Sequence, residues 1–225
     1  MKNTIRFSLV AVLFLISSPL AWAQQKANDP TRWEKNIAEY EAQDKANPPP
    51  KGALLFIGSS TIVRWKTLAQ DFPEHKVITR GFGGSQIEDS AYYADRVIIP
   101  YAPRAVFLRA GGNDLNAGKS VEQVFADFKN FVAKVHSKLP ETDIYFIGLS
   151  PSIARWKQAD KEKELNRLVK EYIAGKPHLK YIDTYDMVLG ADGQPRAELF
   201  VEDKLHFNAE GNKLLAERVR PHLPH

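Results

Sequence analysis

The chain of 225 residues has no cysteine. That excludes disulfide staples, thiol nucleophiles and thiolate metal sites. An excess of one charge is also missing: 31 Lys and Arg face 27 Asp and Glu, a formal net charge of +4. Lys2 and Arg6 supply two of those charges and residues 1–23 hold no acid. The rest of the chain is therefore only weakly basic, at about +2. With no basic stripe in view, no nucleic-acid partner is expected. Beyond the N-terminus no apolar run approaches membrane-spanning length, so no span is expected. Two glycine signatures are incomplete. Gly81-Phe82-Gly83 lacks the third glycine of a dinucleotide fingerprint, because Gln86 stands there. Gly58-Ser59-Ser60-Thr61-Ile62 lacks the last glycine of a Gly-x-Ser-x-Gly elbow. No His/Glu spacing points to a metal, and neither metal nor cofactor is expected.

What is present begins with "MKNTIRFSLVAVLFLISSPLAWA". Its basic start, short apolar stretch and Ala21-Trp22-Ala23 ending read as a secretory signal, residues 1–23, cleaved after Ala23. A periplasmic or secreted location is the expectation. "DPTRWEKNIAEYEAQDKA" reads as a helix, with Trp33, Ile37 and Tyr40 on one face. "NPPPKG" reads as a stiff connector. Residues 24–52 thus form an N-terminal helix and linker, and 53–225 one domain of ordinary size.

From residue 53 the pattern alternates. Strands are expected at 53–58, 75–80, 105–110, 143–149 and 179–183, each rich in Val, Ile, Leu, Phe and Tyr. Helical periodicity is clearest at 121–139, 158–174 and 209–219. The sum is an α/β domain, an open parallel sheet with helices on both faces.

Such sheets bind ligands at the carboxyl ends of their strands. Three polar clusters fall there: Gly58-Ser59-Ser60-Thr61, Gly81-Phe82-Gly83-Gly84-Ser85 and Gly111-Gly112-Asn113-Asp114. A fourth, Asp203-Lys204-Leu205-His206, precedes the last helix. An acid three residues before a histidine can hold one ring nitrogen and leave the other as a base. A serine hydroxyl needs such a base to attack a carbonyl, and Ser60 is the candidate. Gly84 through its N–H and Asn113 through its amide are candidates for holding the oxyanion. Asp114 reads as a turn residue with structural hydrogen bonds.

These four blocks, in this order, resemble the SGNH hydrolases, the GDSL esterase/lipase superfamily, over about residues 53 to 220. The resemblance implies a three-layer α/β/α sandwich with a flavodoxin-like, five-stranded parallel sheet in a single domain. It implies a metal-free triad of Ser60, Asp203 and His206. It also implies an oxyanion hole from the Ser60 N–H, Gly84 and Asn113, with Gly83 the alternative to Gly84. One departure stands out: the Asp of Gly-Asp-Ser is Ser59 here. That leaves Ser59 as a second candidate nucleophile beside Ser60.

Arg64, Trp65, Arg109, Arg155 and Trp156 are candidate substrate contacts, because indoles stack on sugar faces and guanidinium groups donate to hydroxyls. The expected activity is hydrolysis of small O-acyl esters, acetylated carbohydrate first. A lysophospholipase, a thioesterase, a glycan O-acyltransferase on the same triad and a non-catalytic glycan-binding module are the alternatives. The partner is then a small-molecule or glycan ester.

Overall fold

The computed structural model describes residues 29–224, so the expected signal segment 1–23 and its cleavage point lie outside the described residues. Five strands form one sheet: β1 Leu54–Gly58, β2 Val77–Gly81, β3 Ala105–Arg109, β4 Asp143–Ile147 and β5 Leu179–Ile182. Their order is β2-β1-β3-β4-β5 and every pairing is parallel. The order reverses at β1, which has β2 on one side and β3 on the other. That is where a parallel α/β sheet opens a crevice beyond its carboxyl ends.

Residues alternate between two buried layers, as a strand's two-residue period requires. Leu55, Ile57, Val106, Leu108, Ile144 and Phe146 face one cluster. Leu54, Phe56, Ala105, Phe107, Tyr145 and Ile147 face the other. On the second face Phe56, Phe107 and Tyr145 are neighbours in register and stack in a row, with centroids 4.5 and 4.4 Å apart.

Helices cover both faces. They are α1 Glu34–Ala46, α2 Ser60–Arg64, α3 Leu68–Asp71, α4 Ile87–Tyr92, α5 Ala94–Val97, α6 Gly112–Asn116, α7 Val121–His136, α8 Ala159–Ile173 and α9 Ala209–Val219. The first cluster takes Ile37 of α1, Val124, Phe128 and Phe131 of α7, and Leu165 and Val169 of α8. The second takes Ile62 of α2, Leu68 of α3, and Leu215 and Val219 of α9. The expected three-layer sandwich is therefore the fold. Helix α7 shows why its sequence folds so. Ser120 and Gln123 cap its start reciprocally, at 3.2 and 2.8 Å. Each large apolar side chain it buries contributes roughly 1.5–3 kcal/mol.

The N-terminal helix departs slightly from expectation. Asp29 caps a 3-10 turn, Pro30–Trp33, before α1 begins at Glu34. Strand β4 stops at Ile147 rather than running to 149. The next strand ends at Ile182, and the side chain of Asn166 on α8 replaces it. Asn166 accepts from the Leu149 N–H and donates to the Leu149 carbonyl, both at 2.8 Å. No helix among the described residues is long and apolar enough to cross a membrane.

Candidate active site

Strand β1 ends at Gly58 with φ +146°. A Cβ there would stand 2.1 Å from the carbonyl oxygen of Arg109, so only glycine lets the ends of β1 and β3 come this close. The chain then turns into α2. Ser59 occupies the N-cap position, and its N–H donates to the Arg109 carbonyl at 3.2 Å. Ser60 is the first helical residue, so its own N–H has no acceptor within α2. Its hydroxyl projects over the crevice.

Opposite it stands the loop before α9. Asp203 Oδ1 accepts from the N–H groups of Leu205 and His206, both at 2.9 Å. This is the local carboxylate-to-backbone turn that aspartate favours. Its Oδ2 lies 2.7 Å from His206 Nδ1, and His206 Nε2 lies 2.9 Å from Ser60 Oγ. The bond from the His206 N–H, then the ring's own bond, hold the Asp203 carboxyl far below the usual carboxylate range. The structure thus brings Ser60, His206 and Asp203 into one hydrogen-bonded chain. Ser60, not Ser59, faces the ring.

Asn113, on α6, joins them across the crevice. Its Nδ2 donates to the Ser85 carbonyl at 3.0 Å, and its Oδ1 accepts from Arg155 at 2.9 Å. The turn carrying it is fixed by Gly111, φ +120°, where a Cβ would press on Leu165 at 3.2 Å. Asp114 is fully buried and accepts from the Ile87 N–H at 3.0 Å. Burial pushes its carboxyl up to about 7. The structural role expected of Asp114 is therefore what the fold gives it.

The glycine turn after β2 comes to the same place. A Cβ on Gly83 would stand 4.0 Å from the Ser60 Cβ, whereas one on Gly84, φ +87°, would meet the Trp33 ring at 3.4 Å. Neither glycine donates its N–H to a backbone carbonyl among the described residues. Trp33 backs this turn and tilts against Phe82 at 5.7 Å. Its sequence neighbourhood shows only a shared helix face with Ile37 and Tyr40, and nothing there links it to residue 84.

A cavity of about 70 Å³ adjoins the Ser60 hydroxyl, walled by His206, Asn113, Arg109, Arg155 and Glu162 among others. Arg109 is buried and donates to the Gly148 carbonyl, to Ser150 Oγ at 3.2 Å and to Thr184 Oγ1 at 3.3 Å. Burial brings its guanidinium down to about 10. Burial drives the Glu162 carboxyl up to about 7. Glu162, four residues after Gln158 on a helix, was missed because its sequence setting reads as an ordinary solvent face.

Of the other candidate contacts, Trp65 is corrected. It is 2 % exposed and packs beneath the sheet against Phe56 and Phe72, with Nε1 donating to Asp71 at 2.5 Å. Helix α2 is only five residues long, and the chain leaves it at Trp65 with φ −77° and ψ 74°, turning the indole inward. Trp156 is exposed and is not part of the cavity wall. Arg64 is half exposed beside Asp203, at 3.7 Å. Among the described residues no cluster of His, Asp or Glu is placed to hold a metal ion.

The family model of the GDSL-like lipase/acylhydrolase family matches residues 57–214. Platelet-activating factor acetylhydrolase IB subunit alpha1, from Homo sapiens and Bos taurus, is 24% identical over 170 residues, covering 72% of this chain and 70% of theirs. Among solved structures, one assigned as a platelet activating factor from Streptococcus pneumonia superposes with TM-score 0.77. It has 19% identity and covers 92% of this chain and 100% of that one. A catalytic mutant of an acetylxylan esterase from Geobacillus stearothermophilus superposes with TM-score 0.60. It has 16% identity and covers 76% of this chain and 94% of that one. These structural likenesses carry the fold. The family match spans all four polar blocks, and the chain belongs to the GDSL-like lipase/acylhydrolase family, a carboxylic ester hydrolase by family.

Proposed function

We propose that the protein is an exported serine esterase that removes small O-acyl groups, acetyl first, from carbohydrate esters. The observation that carries this reading is the chain Ser60 Oγ, His206, Asp203, closed at 2.9 and 2.7 Å. In the mechanism, Ser60 attacks the ester carbonyl and His206 Nε2 takes its proton. Asp203 holds the Nδ1–H tautomer and stabilises the imidazolium that forms. The oxyanion is received by the N–H of Ser60, the N–H of Gly84 or its neighbour Gly83, and the free N–H of the Asn113 amide. The alkoxide leaves with the proton from His206, and water, activated by the same ring, releases the acid from Ser60.

Two features support a short acyl group. The cavity beside Ser60 is small, about 70 Å³, and its wall carries Arg109, Arg155 and Glu162, poor company for a long hydrocarbon chain. Two of the similar proteins are, by name, an acetylhydrolase and an acetylxylan esterase. Export rests on the leader pattern of residues 1–23.

Hydrolysis of 4-nitrophenyl acetate, butyrate and octanoate by the protein without residues 1–23 tests the reading. Acetate should be preferred. Ser60→Ala should lower kcat by at least about 10³-fold and Ser59→Ala far less. Turnover by Ser60→Ala equal to wild type would end the proposal. Acyl transfer to an added sugar faster than release of free acid would convert it into an acyltransferase.

A further inference from the structure

We propose that Arg155 is a positioning residue: it locks the Asn113 carboxamide so that one amide N–H points into the crevice, and it acts through Asn113 rather than by touching the ester. This rests on the reading of Asn113 as an oxyanion donor and goes beyond it.

A side-chain amide has one accepting oxygen and two N–H donors, and its two orientations differ only in which end points where. Here both ends are committed. Oδ1 receives Arg155 at 2.9 Å, and Nδ2 gives one hydrogen to the Ser85 carbonyl at 3.0 Å. Turned over, the amide would aim N–H at a guanidinium that has only donors, and its oxygen at a carbonyl. Both contacts would become repulsive. Arg155 and Ser85 therefore fix a single orientation, and its remaining N–H is the one left for the cavity that Asn113 shares with Ser60.

Arg155 is itself held. It follows Ala154, whose N–H donates to the Lys204 carbonyl at 3.0 Å, and its own N–H donates to the Ser152 carbonyl at 3.2 Å. A kinked 3-10 segment, Ile153–Gln158, leads into α8, and the side chains of Arg155, Gln158 and Glu162 converge on Gly112, within 3.8–3.9 Å of where a Cβ on it would stand. Gln158 donates to the Gly112 carbonyl at 3.2 Å and to Glu162 Oε1 at 2.7 Å. One residue thus holds the backbone beneath Asn113 and another holds its side chain. Burial lowers the guanidinium pKa of Arg155 and the neighbouring Glu162 opposes that lowering. A guanidinium keeps its charge near neutral pH, so the amide oxygen faces a cation.

The test is a mutant cycle on 4-nitrophenyl acetate with Asn113→Ala, Arg155→Met and the double variant, reading kcat and KM separately. Asn113→Ala should lower kcat about 100-fold, as loss of one oxyanion donor does. Arg155→Met should lower kcat about 10-fold with KM within about twofold, the cost of a misaimed group. Added to Asn113→Ala, it should change kcat by less than about twofold, because its action passes through the missing amide. Arg155→Lys, which keeps a charged donor, should recover part of the loss and carries the cycle if Arg155→Met does not fold. A rise in KM with kcat unchanged would make Arg155 a substrate contact and overturn the proposal. So would a tenfold loss that persists in the Asn113→Ala background. If Asn113→Ala is impaired but the Arg155 variants are not, positioning alone is overturned. Wild-type kcat in Asn113→Ala would overturn the oxyanion reading together with it.

Discussion

The two walls of the crevice are built in opposite ways. The Asp203–His206 wall is a short exposed loop that organises itself: Asp203 bonds the N–H of Leu205, the N–H of His206 and the His206 ring, all within three residues. The Asn113 wall is organised from afar. Its partners are Ser85, Ile87, Arg155 and Gln158, between 27 and 46 residues away in sequence. A group set by its own neighbours can be lost with little harm to the fold. A group set by long-range bonds shares its partners with the core.

Substitutions can break or sharpen this contrast. The largest effect is expected on the local wall: His206→Ala should cost about 10⁴-fold or more in kcat while Tm moves by no more than about 2 °C. A fall of many degrees, read by calorimetry, would show that the loop braces the fold after all. The next effect belongs to the long-range wall and is one of stability. Burial raises the Asp114 carboxyl from 3.8 to about 7, so its neutral form is the one the fold prefers. That contribution is fully present below pH 3.8 and is lost as pH rises through about 7. Asp114→Asn removes the titration. Between those limits the wild type should lose about 1.4 kcal/mol per pH unit relative to the variant, measured by urea unfolding at several pH values. Two curves that stay parallel would place the Asp114 charge elsewhere in the balance. The smallest effect is expected at Arg64, exposed and 3.7 Å from Asp203. Arg64→Ala should change stability by about 0.5 kcal/mol or less and kcat/KM by no more than about threefold. A larger rise in KM with kcat unchanged would restore Arg64 as a substrate contact.

The same contrast decides what was legible in the sequence. The strands were, because each is a short run rich in apolar residues, and the central β1 and β3 are buried on both faces. Asp203 and His206 were, because the spacing that defines their contact lies within one turn of chain. The clusters around Ser60 and Asn113 were placed correctly at strand ends, because parallel topology sends all carboxyl ends the same way. The partners of Asn113 were not legible. Arg155 reads as a substrate contact until the segment entering α8 is seen to bond Asn113 and Gly112 through Arg155 and Gln158. Trp65 misleads for the converse reason: adjacency to Ser60 in sequence suggests the crevice, but the chain leaves the five-residue helix at Trp65 and the indole packs into the core against Phe56 and Phe72. The choice between Gly83 and Gly84 depends on which peptide faces Ser60, a matter of φ and ψ that no motif spells out.

The bond from the Ala154 N–H to the Lys204 carbonyl joins the two walls, since Ala154 precedes the arginine that holds Asn113 and Lys204 lies inside the Asp203–His206 loop. A single peptide proton therefore reports on the closure of the crevice. In deuterated water it exchanges when that bond breaks, so its rate reads how firmly the two walls hold this contact. Ligands that bridge both walls should slow that exchange, and ligands seated on one wall should leave it unchanged.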